Sequence, residues 1–270
     1  MSQAQMGFDM GSALSGIVIH AIEMPEKAAS IGWLTAFLCR DGQPIPLADL
    51  SREWQRLPSA LHGDGRGPDC LFGELPVFAV ALNGGELLTE LRELQGVDWN
   101  SPHHRLTLFD GVRGHIPYLK ERCARYREIL VEWARTDPPP SGLPRVCWQY
   151  ASLYNAGLYL EAYKLLELRW MTEEGAPREL LRGLMQLAVG LHQVQSGKYA
   201  VEQLEEAFFR IRDHAAAFPG PSVGRFVKRL EKATRLFKGY GPTGFRGFDL
   251  RLFPRLWMVS PWRALLGGRR

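Results

Sequence analysis

Apolar positions recur at helical spacing most cleanly between Tyr150 and Phe218. Val146, Trp148, Tyr150 and Leu153 form a short apolar helix that Asn155-Ala156-Gly157 breaks, since Gly and then Asn best tolerate the left-handed conformation ending a helix. Tyr159, Ala162, Tyr163, Leu166 and Trp170 fall at i, i+3, i+4, i+7 and i+11, one face of a helix, which Leu165 and Leu168 are expected to widen. After a break at Glu173 to Pro177, Leu180, Leu184, Leu187, Leu191 and Val194 mark a third helix. Gly183 and Gly190 lie inside it, and each costs about 1 kcal/mol against Ala unless something compensates, usually the close approach of another helix. Ala200, Leu204, Ala207, Phe208, Ile211, Ala215 and Phe218 mark a fourth helix. Gly157-Leu158-Tyr159 and Gly197-Lys198-Tyr199 repeat between helices, a unit similar to that of tetratricopeptide arrays but longer in period. The expectation is an antiparallel bundle of stacked hairpins.

The first part of the chain mixes patterns. Gly16 to Ile22 reads as a strand, Ile31 to Leu38 as a strand or short helix, and Leu47 to Leu61 as an amphipathic helix. Leu71 to Leu82 holds Pro76, so it is an edge strand or begins after that residue. A turn at Gly84-Gly85 precedes a short helix over Glu86 to Gln95, with Leu87, Leu88 and Leu91 inward. Arg105 to Phe109 is a strand and Pro117 to Ala134 a helix. The fold class expected is an α+β domain over residues 1–136, then an all-α antiparallel helical bundle with a basic C-terminal tail. The Pro-rich stretch 137–144 is the linker, 145–223 the bundle, and 224–270 a basic amphipathic helix and aromatic tail.

The run Tyr154-Asn155-Ala156-Gly157, then Glu161-Ala162-Tyr163, Glu167 and Trp170, then Gly183-Leu184-Met185-Gln186-Leu187-Ala188 and Gly197 resembles the bacterial family called domain of unknown function 309. The resemblance spans residues 146–215 and implies a small all-helical domain, with no biochemical activity attached. The family's His falls at Tyr163 and the Glu after it at Lys164, which argues against metal catalysis because Tyr replaces His as a ligand only at a high proton cost. The polar cluster left is Asn155, Glu161, Tyr163, Glu167, Trp170 and Gln186, with His192 nearby. Two readings stand: these groups satisfy one another between packed helices, or they line a ligand pocket.

Composition is that of an ordinary globular protein, with 46% hydrophobic and 23% charged residues among 270. Four scattered cysteines form no CxxC pair and read as reduced thiols. The first residues have no signal-peptide pattern, and no apolar run is long enough for a membrane span, so a cytoplasmic place is expected. His103-His104 with Asp110 and His115, and His62 with Asp64 in a Gly-rich loop, are the densest titratable groups. No nucleotide-binding, hydrolase or metalloprotease motif accompanies them, and no cofactor or metal is expected.

Charge is uneven. From Gly224 onward twelve cations face two acids, a net of +10, so with +4 overall the preceding residues net −6. Arg225, Lys228, Arg229, Lys232, Arg235 and Lys238 lie opposite Phe226, Leu230, Ala233 and Phe237 on one helix. Tyr240, Phe245, Phe248, Phe253, Trp257 and Trp262 follow. This tail either wraps its own bundle, docks an anionic membrane surface as a peripheral protein, meets an acidic protein partner, or stacks on nucleic acid, for which no motif speaks. The function expected is a non-enzymatic binding or scaffold module. The alternative is a hydrolase-like or ligand-binding enzyme using Glu161, Glu167 and Gln186, or the region from His103 to His115.

Overall fold

A computed structural model describes residues 10–82, 85–89, 92–220 and 223–257. The chain divides into two compact units, Met1–Thr136 and Asp137–Arg270. The first is α+β and the second all-α, the fold class expected from the pattern.

In the first unit, helices α1 (Met10–Glu23), α2 (Ala29–Leu38), α3 (Leu47–Gln55), α4 (Cys70–Glu74) and α5 (Ile116–Ala134) accompany four short strands. These are β1 (Ile45–Pro46), β2 (Phe78–Ala81), β3 (Leu87–Leu88) and β4 (Arg105–Leu108), in the antiparallel order β1-β4-β2-β3. Every residue of α2 is buried, and α3, α4 and α5 pack around it. Gly32 is needed there: a Cβ would lie 2.2 Å from the Leu61 carbonyl oxygen.

Four local expectations are corrected. Gly16 to Ile22 is helix, not strand. Leu14, Ile17, Val18, Ala21 and Ile22 are buried at helical spacing, and that spacing outweighs the β-branched run. Leu87–Leu88 is a strand pairing with Val80 and Ala81, not the start of a helix, and Leu87 is exposed rather than inward. Leu91 and Gly84 lie outside the described residues. β2 does begin after Pro76, but it lies between β4 and β3 and is not an edge. The α3 helix stops at Gln55, short of Leu61, and Ser51 within it donates to the Trp99 carbonyl at 3.2 Å.

The second unit holds α6 (Leu143–Asn155), α7 (Tyr159–Trp170), α8 (Gly175–Gln195), α9 (Val201–Asp213) and α10 (Val223–Gly244), each packed on the next. Tyr150 of α6 donates to the Leu184 carbonyl of α8 at 2.9 Å, and Tyr154 of α6 meets Phe226 of α10 edge-on at 6.1 Å. These contacts close the row of helices into a bundle. The repeated Gly-x-Tyr turns share one geometry. Gly157 and Gly197 have φ of 71° and 80°, and each is followed by an amide reaching back five residues, Leu158 to Leu153 and Lys198 to Gln193, both at 2.9 Å.

The two glycines of α8 face α9. A Cβ on Gly183 would stand 2.9 Å from Ile211 Cγ1 and 3.1 Å from the Ile211 backbone nitrogen. On Gly190 it would stand 2.9 Å from Leu204 Cδ2, a side-chain tip. Gly183→Ala is therefore expected to lower stability by about 1–3 kcal/mol despite better helix propensity, because backbone must move. Gly190→Ala is expected to stay within about 1 kcal/mol of wild type, since Leu204 can rotate away. Urea denaturation of the two variants checks the difference.

Candidate functional site

The expected polar cluster is dispersed over three places in the bundle. Asn155, the last residue of α6, clamps the returning chain. Its Nδ2 donates to the Leu256 carbonyl and its Oδ1 accepts from the Leu256 amide, both at 2.8 Å. One carboxamide thus pairs with both polar groups of one residue, as a neighbouring strand would. Phe253, Pro254 and Leu256 are buried beside it, while Arg255 and Trp257 are exposed. Glu161 is fully buried in the first turn of α7, where unbonded N–H groups of a helix favour a carboxylate.

The remaining residues meet on the outer side of α7, α8 and α9. Tyr163 donates to Glu167 one turn later at 2.8 Å. That hydrogen bond, then burial, holds the Tyr163 phenol above its ordinary pKa, because deprotonation would set two anions together. Gln186 accepts from Arg210 Nε at 3.0 Å, and Arg210 also pairs with Glu206 and Glu179. Hydrogen bonds from Gln186 first, and then from Arg210, hold the Glu206 carboxyl below the usual carboxylate range. The Arg178 guanidinium lies 4.6 Å over the Trp170 ring.

Between these groups lies a groove of about 210 Å³. Tyr163 and Trp170 of α7 form one wall, Met185, Gln186 and Val189 of α8 its floor, and Gln203 of α9 the other wall, with Arg182 at the mouth. Leu168, expected on the buried face of α7, is half exposed, and Met171 beyond it is 62% exposed.

Three phenylalanines of the tail, Phe245, Phe248 and Phe253, turn inward, while Tyr240 and Trp257 are exposed. Gly241, with φ 66° and ψ 177°, kinks α10 just before Pro242 and folds the chain back. Phe237 then packs edge-on against Phe248 at 5.2 Å, Phe248 against Phe253 at 5.7 Å, and Tyr199 against Phe245 at 5.5 Å. Trp262, Arg263, Arg269 and Arg270 lie outside the described residues. On α10 itself Phe226, Leu230, Ala233 and Phe237 are buried, and all six basic residues are exposed. Arg235 pairs with Glu231, and Lys238 with Glu205 at 2.8 Å. Among the described residues, no ion pair engages Arg225, Lys228, Arg229 or Lys232.

The titratable groups of the first unit do not gather. His103 and His104 precede β4, with both backbone amides held by Ser101 Oγ at 3.3 Å. Asp110 and His115 are the two ends of the short 3-10 helix that follows β4, and Asp110 pairs with Arg113 at 3.1 Å. His62 packs on Trp54 with ring centroids 4.3 Å apart, and Asp64 is held by Arg66 at 2.8 Å, so this loop is tied to its own neighbours. Among the described residues, no three His, Cys, Asp or Glu converge as metal ligands would. The four cysteines are free. Burial pushes the thiols up, to about 11 at Cys70, about 12 at Cys147, and higher still at Cys123.

Helices α6 to α10 define a closed all-α bundle of two hairpins and a covering helix. Residues 147–202 match the family model described as Domain of unknown function (DUF309), which bears out the resemblance over α6, α7, α8 and the start of α9. The match is narrower than the 146–215 expected and leaves most of α9, and all of α10, outside it. Neither the curated proteins nor the solved structures contain a match to this chain.

Sequence reasoning overlooked Arg210, the hub of the groove's ion pairs, although its i+4 spacing from Glu206 was a signal. It also overlooked Leu256, for which no signal existed, because Leu256 meets the Asn155 carboxamide through its backbone N–H and C=O alone. Asn155→Ala is expected to cost about 1–3 kcal/mol, the penalty for a buried N–H and C=O losing their partner. Amide hydrogen exchange at Leu256 should accelerate in that variant. Glu167→Gln is expected to lower the Tyr163 pKa toward its ordinary value, as read by NMR titration of the ring.

Proposed function

We propose that this protein is a non-enzymatic binding or scaffold module that docks on an anionic surface through the outer face of α10. One observation carries the reading. Phe226, Leu230, Ala233 and Phe237 of α10 are buried in the bundle, while Arg225, Lys228, Arg229 and Lys232 stand exposed with no ion pair among the described residues, the nearby Glu231 being paired with Arg235. A row of cations on a rigid helix attracts anionic headgroups, at roughly 1 kcal/mol per cation near the surface. Because Phe226, Leu230 and Phe237 are buried in the bundle, α10 docks without inserting. The interaction is therefore electrostatic and falls as salt rises. Nucleic-acid stacking is less well supported, since Phe245, Phe248 and Phe253 pack in the interior. No helix among the described residues is long and apolar enough to cross a membrane.

The polar groups of the bundle fit this reading. Asn155, Tyr163, Glu167 and Gln186 are each engaged with protein partners.

Co-sedimentation of the full chain with phosphatidylserine-containing vesicles tests the proposal, with neutral vesicles and a mixed-sequence oligonucleotide alongside. Binding to the anionic vesicles is expected to weaken with salt. Replacing Arg225, Lys228, Arg229 and Lys232 together by Gln is expected to reduce partitioning on the order of a hundredfold or more. Equal binding to neutral vesicles, or no loss in the Gln variant, overturns it.

A further inference from the structure

The groove of α7, α8 and α9 lies on helices other than α10 and has a chemistry of its own. Two polar groups of its lining are engaged elsewhere, the Tyr163 hydroxyl with Glu167 and the Gln186 side chain with Arg210 and Glu206, while Trp170 Nε1 is buried without a hydrogen-bond partner. What remains inside is the Trp170 and Tyr163 rings, the Met185 and Val189 side chains, and aliphatic stems. At about 210 Å³ the space suits one large apolar side chain. It is smaller than the roughly 300–1,000 Å³ of a site that encloses a whole small molecule. Trp, Tyr, Met and Arg are also the residue types enriched at the cores of protein interfaces.

The surroundings specify the occupant further. Met171, the residue directly after Trp170 at the end of α7, is 62% exposed. On α8, Arg178 and Arg182 stand one turn apart, both exposed. No ion pair engages either among the described residues, and Arg178 is already placed over the Trp170 ring. Other charges face the groove too. Arg210 on α9 offsets one of the two charges of Glu206 on α9 and Glu179 on α8, with Arg182 also acting on Glu206, and Glu167 stands on the α7 side. An acidic ligand is thus repelled at Glu167 on α7 and attracted at the exposed guanidinium groups of Arg178 and Arg182 on α8, which sets its direction across the groove. The walls are preformed, because α8 and α9 meet at glycine and Arg210 fixes Gln186, so little ordering is required on binding.

We propose that this groove docks an acidic peptide segment of a partner protein. One Leu, Phe or Trp side chain of the segment seats between Trp170, Met185 and Val189, and carboxylates nearby pair with Arg178 and Arg182. The site is independent of the α10 face, so a protein using both would hold a partner at an anionic surface.

Selection from a displayed library of random short peptides against the full chain tests it. Enrichment of peptides that place a Leu, Phe or Trp within one helical turn of Asp or Glu is expected. Individual selected peptides should bind Val189→Trp at least about tenfold more weakly, because the ring fills the groove. Gln203→Trp, at an exposed position, fills it from α9 and serves if the first variant does not fold. Arg178→Glu with Arg182→Glu should shift the selection toward basic peptides. The α10 variant with four Gln should bind the selected peptides as wild type does. No enrichment, or selected peptides that bind both filled variants undiminished, overturns the proposal. So does enrichment of acidic peptides without an apolar anchor that is lost in the α10 variant, which would trace binding to α10 alone.

Discussion

The approach of α9 to α8 across Gly183 is the constraint on which the bundle's outer surface depends. With no side chain at that position, the Ile211 backbone lies nearly against α8. That proximity brings Arg210 within reach of Gln186 and Glu179 on α8 and of Glu206 on its own helix. The same proximity gives the groove its floor and its far wall. Glycine in a helix interior is unfavourable by propensity, so its presence twice in α8 has a packing reason, as the spacing of the two residues anticipates.

A second device holds the other side of the bundle. The Asn155 carboxamide ends α6 and reads the backbone of Leu256, far away in sequence. Through that clamp the stretch after α10 is drawn over the bundle, and its phenylalanines complete a core that α6 to α9 leave open. The tail therefore contributes to the fold with its aromatics and faces solvent with its arginines and lysines. A residue of the DUF309-like pattern thus serves a contact with a segment that the family match does not include.

These two devices separate the roles of the polar residues. Where polar side chains are matched to each other or to backbone, they hold helices in place, as buried polar groups must. Where exposed cations form no ion pair among the described residues, at Arg178 and Arg182 and at Arg225, Lys228, Arg229 and Lys232, the surface has interaction capacity left over. The proposed binding functions rest on those unmatched charges and on the apolar groove between them.

Much of this architecture was legible in the chain itself. The 3.6-residue spacing of Leu180 to Val194, the Gly-x-Tyr turns, and the late start of β2 after Pro76 follow from local physics: periodic burial, left-handed glycine and the missing proline N–H. Local physics misjudged Gly16 to Ile22, where a β-branched run lies within a longer helical period, and Leu87–Leu88, whose state is decided by a partner strand. The candidate site was only half readable. Its residue types were apparent, but Asn155, Glu161 and the Tyr163–Trp170–Gln186 set point to three different places, because direction from a helix is set by packing across helices. Whether the tail's aromatics were exposed or buried also lay beyond sequence pattern. That outcome hangs on the Gly241 kink and on a hydrogen-bonded pair 101 residues apart, which only the tertiary structure could bring together.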